Sequence, residues 1–175
     1  APAAAAARGS RHVTRRAGVS APVPGPKGLT WQRMPPGETW CTMARTVTET
    51  DLVTFVNWFG FTERLFLEAD HAATEGYRGR LVPGALTLCL AEGLTLQTGM
   101  LYGTGVAFLG ADIAVRAPVY VGDTLHVVIT VDSARAASKD QRGVVTTSNA
   151  VINQRGETVL EYAPVRLIRG DEAGA

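Results

Sequence analysis

Two neighbouring features of this chain could do chemistry. One is Val82-Pro83-Gly84, which runs into an apolar segment from Ala85 to Thr98; the other is Glu92 inside that segment. A helix starting at Gly84 leaves its first N–H groups without internal acceptors. Those groups, with the helix dipole, favour negative charge developing on an oxygen. Gly84 is therefore a candidate for polarising a carbonyl, the alternative being a simple tight-turn glycine. A carboxylate in an otherwise apolar helix is costly unless compensated. Glu92 accordingly reads either as a catalytic group or as a partner for an Arg or Thr at a subunit interface. Asp70 and His71 are adjacent, so their side chains diverge on a helix and make no dyad; they read as surface residues. His126 lies in an alternating stretch and is expected to be exposed, and His12 lies in the N-terminal tail. The sequence has no Cys/His cluster at ligand spacing, no glycine-rich phosphate loop after a strand and no Walker-type lysine, so neither a metal nor a nucleotide cofactor is expected.

These residues need elements to position them. Leu86, Leu88, Leu90, Ala91, Leu94 and Leu96 point in nearly all directions on a helix, and a helix that is apolar all round must be buried. The segment also alternates, but its length and Gly99 at its end favour a helix. Ahead of it, residues 38–46 alternate as a strand. Thr48 is then placed as N-cap and Asp51 as N3 of a helix running to about Phe59, where Gly60 stops it. Leu52, Phe55, Val56 and Phe59 share one inward face. A long loop follows, with one short helix near Ala69–Thr74. After the central helix come four stretches rich in Val, Ile, Thr and Leu: 106–117, 124–134, 143–153 and 157–168. The segments between them carry turn residues, two of them as hairpins, which predicts an antiparallel meander whose apolar face wraps the helix. The fold class is α+β, an antiparallel sheet around a long central helix at about 84–98.

Composition sets the outer limits. At 175 residues, 46% hydrophobic and 19% charged, the chain suits one domain with a full core. A formal net charge of +1 offers no general attraction to nucleic acid or an anionic membrane. No apolar run reaches the roughly 18 residues that cross a bilayer. Cys41 and Cys89 are far apart in hydrophobic surroundings, which predicts buried thiols in a reducing, cytoplasmic setting. Residues 1–29 are rich in Ala, Arg, Gly and Pro with no acidic residue before Glu38, and read as an unstructured tail, or alternatively as a transit segment. Trp31 and Met34 anchor the arm that follows. The domain is expected at 30–170, with 171–175 a second tail.

Three stretches carry a resemblance: Phe55 to Ala73, Arg80-Leu81-Val82-Pro83-Gly84-Ala85, and Phe108-Leu109-Gly110 through Ala117-Pro118-Val119-Tyr120-Val121-Gly122-Asp123. On these the chain, from about Arg45 to Arg169, resembles the MaoC-like hot-dog family of acyl-thioester hydratases and dehydratases, including (R)-specific enoyl-CoA hydratases. The resemblance implies a single hot-dog domain, an acyl-CoA or acyl-carrier-protein thioester as substrate, and no cofactor beyond the CoA or phosphopantetheine of that substrate. It implies a homodimer or higher oligomer, with a hetero-oligomer containing an active hot-dog partner as the alternative, because one hot-dog sheet leaves an edge to be covered.

In the family, a loop of the form Asp-x-Asn-Pro-x-His supplies the acid and base. Water must lose a proton while the substrate carbon gains one, so two groups are needed. Here that loop is Phe61-Thr62-Glu63-Arg64-Leu65-Phe66, with phenylalanine at both proton-transfer positions, and Pro83 replaces the family's His before the helix glycine. Gly84 matches the glycine whose N–H binds the thioester carbonyl. Phe61, Phe66, Tyr77, Pro83, Gly84 and Ala85 are thus the expected substrate-binding residues. Glu63, at the family's Asn position, is the leading replacement acid or base, with an ion pair to Arg64 or a solvated position as its other reading. Glu92 stands at an offset from Gly84 similar to that of the catalytic Glu in one class of hot-dog thioesterases. Arg78, Arg80 and Arg116 are candidates for meeting a CoA diphosphate. The readings that compete are an atypical hydratase or dehydratase, a non-catalytic hot-dog subunit or binding module, and a thioesterase using Glu92.

Overall fold

A computed structural model describes residues 28–138 and 141–171; the tail readings for residues 1–27 and 172–175 lie outside the described residues. The chain enters through Gly28 and Leu29, whose N–H groups donate to Tyr102 O (2.7 Å) and Met100 O (2.8 Å). A short 3-10 turn at Trp31–Arg33 follows, and Met34 is 1% exposed, which makes it the anchor of this arm.

Strands β1 (Thr39–Cys41) and β2 (Arg45–Thr46) both pair antiparallel with β4 (Thr124–Ala136). Helix α1 (Glu49–Phe59) starts at the predicted cap. Thr48 Oγ1 accepts from the Asp51 N–H at 3.2 Å, and Asp51 Oδ2 accepts from the Thr48 N–H at 2.8 Å, a reciprocal capping box. Gly60 ends α1 at φ 68°, a left-handed position that glycine adopts without steric cost. Leu52 and Val56 are buried, but Phe59, expected on the same inward face, is 63% exposed and stacks on Phe55 instead. Helices α2 (Arg64–Leu67) and α3 (Ala69–Thr74) follow; α3 is at the predicted place, and α2 is a single turn too short to leave a periodic signal.

The central helix α4 spans Gly84–Gln97. It is not buried all round. Leu86, Thr87, Leu90, Ala91, Leu94 and Thr95 face the sheet, while Ala85, Cys89, Leu96 and Gln97 are exposed. The expectation of two buried thiols is corrected with it: Cys89 sits on this open face, and Cys41 is exposed on short β1. A sheet covers one side of a helix, and an apolar helix sequence does not say what covers the other.

Strands β3 (Gly105–Val115), β4, β5 (Arg142–Asn153) and β6 (Thr158–Arg169) carry the sheet. The strand order is β1-β4-β5-β6-β3, so the full sequential meander is corrected: β4, β5 and β6 form hairpins, but β3 pairs with β6 at the far edge. The segment between β3 and β4 cannot close a hairpin because it is bonded elsewhere. Val119 O accepts from the Val82 N–H at 2.8 Å, Tyr120 bridges Leu81, and Val47 O accepts from the Gly122 N–H. That crossing segment runs past the start of α4. The inner face of β4 buries Leu125, Val127, Ile129 and Val131 at alternate positions, each worth about 1.5–3 kcal/mol of apolar burial. His126 lies on the outer face and is half-buried rather than exposed.

Candidate active site

The start of α4 is built to leave backbone amides free. Pro83 occupies the N-cap with φ −53° and ψ 138° and offers no side-chain acceptor. Its carbonyl takes the Thr87 N–H at 3.0 Å and the Thr87 Oγ1–H at 3.3 Å. The N–H groups of Gly84, Ala85 and Leu86 precede that first helical bond and have no carbonyl four residues back within the helix. Gly84 lines a cavity of about 310 Å3 that also touches Phe66, Tyr77, Leu81, Thr87 and the crossing segment from Val115 to Val119. A Cβ at position 84 would meet Val115 Cγ2 at 3.0 Å, so glycine lets the helix start approach β3 closely.

Three of the six expected substrate-binding residues come together: Phe66, Tyr77 and Gly84 line the cavity, which is open rather than filled by the rings. Phe61 stands behind the wall. Its ring centroid lies 6.2 Å from that of Phe66 and 5.0 Å from that of Phe55, a tilted aromatic row that props Phe66 from the α1 side. Pro83 is buried and acts through its carbonyl, while the Ala85 side chain is exposed on the open face of α4.

The two carboxylate candidates lie elsewhere. Glu63 is exposed at the N-terminal flank of α2 and does not line the cavity; Arg64 pairs with Glu68 instead, at 2.8 Å. Glu92 is held on the sheet side of α4 by Arg166, Nη2 donating to Oε1 at 2.5 Å, with Arg166 only 7% exposed. The ion-pair reading of Glu92 thus has its Arg within the same chain. Next to this pair the Tyr162 phenol is pushed up to about 12, chiefly by burial and further by the Glu92 charge, against a hydrogen bond with Thr95. Asp70 is exposed and His71 half-buried, and neither touches the cavity.

Of the three arginines, only Arg116 reaches the cavity wall, while pairing with Glu161 at 2.7 Å. Arg80 is held by Glu49. Arg78 lies over the Tyr120 ring at 3.9 Å and donates to Asp123 at 2.8 Å. Asp123, 1% exposed, also accepts from Gln154, Arg155 and the Tyr120 N–H. Burial pushes its carboxyl up, but these bonds and the Arg78 charge hold it below its ordinary value. It ties the Tyr77–Arg78 segment to the crossing segment, and so fixes two walls of the cavity. This role was missed from the sequence. The signal was a carboxylate closing an apolar turn, where burial without partners is prohibitive. Thr87, three residues after Gly84 on the same face, was also missed. Among the described residues, no three His, Cys, Asp or Glu side chains converge as a metal site.

A family model described as the FAS1-like dehydratase domain region matches residues 36–162, most of the chain. The chain belongs to the MaoC-like hot-dog family of hydratases and dehydratases. Solved structures agree. An Archaeoglobus protein described as a monoamine oxidase regulatory protein is 29% identical, with TM-score 0.77, over 84% of this chain and 98% of its own. A putative MaoC domain dehydratase from Chloroflexus aurantiacus is 26% identical, with TM-score 0.78, over 85% of this chain and 42% of that one. A (3R)-hydroxyacyl-ACP dehydratase complex from Mycobacterium tuberculosis shares the fold at 21% identity and TM-score 0.65, over 75% and 96% of the two chains. No curated protein sequence matches. Within this MaoC-like fold, the helix-start amides and the cavity are in place, and the wall residues include no carboxylate or imidazole.

Proposed function

We propose that this chain binds an acyl thioester, carried on coenzyme A or on an acyl carrier protein, and contributes the binding half of a hydratase or dehydratase site. The observation that carries the reading is the Pro83-capped start of α4, whose Gly84 faces an open, largely apolar cavity. The Gly84 N–H binds the thioester carbonyl; the acyl group lies against Phe66, Leu81, Val115 and Pro118. Among the described residues of the wall, Tyr77 supplies the phenol and Arg116 the cation, a partner for phosphate on the carrier. No cofactor is required beyond the CoA or phosphopantetheine of the ligand.

Ordinary hydration needs two groups to move protons, and one chain's wall carries phenylalanine at the position of the family's base. The subunit reading follows from this and from the open face. Leu96, Phe108, Ile113 and Val115, between 51% and 62% exposed, form an apolar surface on α4 and the edge strand β3. A second hot-dog chain is the proposed cover: another copy suffices to bury this surface, whereas turnover requires a partner that brings the missing acid and base. A cytoplasmic, reducing location suits the two free, exposed thiols.

The test is calorimetric binding of saturated acyl-, enoyl- and 3-hydroxyacyl-CoA alongside a turnover assay of the same panel. Binding with little or no hydration by the chain alone supports the reading. Efficient hydration by the chain alone, lost in Glu63→Ala, would restore the atypical-enzyme reading.

A further inference from the structure

Beneath the C-terminal half of α4, on the sheet side and away from the thioester cavity, lies a small internal cavity of about 10 Å3. Most of its wall is apolar, from residues such as Met34, Ile129 and Ile168, but three polar side chains also line it: Thr95, Thr147 and Arg166. All three are more than nine-tenths buried, at 1%, 3% and 7% exposure. Thr147 Oγ1 is the anomaly. It is fully buried and has no hydrogen-bond partner among the described residues. A buried hydroxyl in that condition costs free energy that a native core rarely tolerates.

We propose that this cavity holds one structural water molecule, bound by Thr147, Thr95 and Arg166. The volume matches the space needed for the centre of a single water, and three polar partners match the usual number. The bonding is complementary. Arg166 has five N–H donors and gives one bond to Glu92, so a further N–H is available to donate to the water. Thr95 spends its hydrogen on Ala91 O at 3.0 Å and accepts from the Tyr162 hydroxyl at 3.4 Å, which leaves its second lone pair as an acceptor for a water hydrogen. Thr147 exchanges its bond with the water in whichever sense completes the set. A halide is disfavoured because Glu92 already neutralises Arg166, and a cation is disfavoured by Arg166 itself. Asn149, also buried with its amide atoms unpartnered, does not line this cavity and is not part of the site. The water's role is to hold the guanidinium in place for Glu92, and so to steady α4 against β5 and β6.

The test is Thr147→Val in the full chain. Valine fills nearly the same space without the hydroxyl. If the water is present, the substitution removes one of its bonds and lowers the melting temperature by about 2–4 °C. If the cavity is dry, the substitution removes an unsatisfied hydroxyl, and the melting temperature stays the same or rises, which overturns the proposal. A high-resolution crystal structure of the parent decides independently of the variant's folding. A single water peak within hydrogen-bond distance of all three side chains supports the proposal. An empty cavity, or a bromide peak there after a halide soak, overturns it.

Discussion

The rings of Phe61 and Phe66 lie 6.2 Å apart, tilted at 53°, and only Phe66 reaches the cavity. In the proposed reading, the two positions that would carry proton transfer in the family serve as one wall and its prop. Truncation should separate those roles. Phe66→Ala is expected to weaken acyl-CoA binding by about 10-fold or more, the worth of one apolar side chain against a ligand. Phe61→Ala is expected to affect binding less and to lower the melting temperature instead. Titration calorimetry beside thermal unfolding checks both.

The two glutamates should behave as opposites. Glu63 is exposed and touches nothing in the cavity, so Glu63→Ala is expected to change stability by no more than about 0.5 kcal/mol and to leave ligand affinity within twofold. Glu92→Ala strands the buried Arg166 guanidinium and should cost about 3 kcal/mol in denaturant unfolding. Ligand affinity that fell with Glu63→Ala but not with Phe66→Ala would reverse the assignment of the wall.

Acid sensitivity should centre on Asp123. Its carboxyl is held below the ordinary 3.8, so its contribution is fully present above the unfolded value and is lost as pH falls through the lower folded value. Between pH 5 and pH 3 the parent is expected to lose stability more steeply than Asp123→Asn, which has no such charge to lose. The variant should be less stable than the parent at pH 7. Melting temperatures across that range check the sign; parallel slopes would remove Asp123 as a titrating tie.

The open face of α4 and β3 predicts association. Ile113 is 52% exposed beside Val115 at 62%, and a charge placed there meets an apolar surface. Ile113→Asp is expected to shift the chain from dimer to monomer in sedimentation while preserving its circular dichroism. An unchanged mass would place the interface elsewhere.

Much of this fold was legible because it is written locally. The Thr48–Asp51 cap, the Gly60 stop, the apolar run after Gly84 and the alternating strands β4, β5 and β6 all read correctly from residues near one another. What failed was long-range. Alternation in 105–115 announces a strand but not that its partner is β6, some fifty residues on. An all-apolar helix does not reveal that one face stays open, so Cys89 was placed inside. At the site, Phe66 and Gly84 were legible as cavity residues because both lie in the stretches that carry the family resemblance, and Glu92 was left between two readings because Arg166, its partner 74 residues away, leaves no local trace.

Carbonyl binding in the proposed site depends on one amide, the Gly84 N–H, and proline can remove it. Proline is favoured at the first position of a helix, and Pro83 already has the extended backbone that a following proline demands. Gly84→Ala is the control, since it keeps the N–H while pressing the same Val115 methyl, 3.0 Å from the new Cβ. The decisive measurement is the acyl-CoA dissociation constant of Gly84→Pro relative to Gly84→Ala. A weakening of about 3- to 10-fold in the proline variant alone, the worth of one hydrogen bond, is predicted. Equal affinity in the two variants would contradict carbonyl binding at the start of α4.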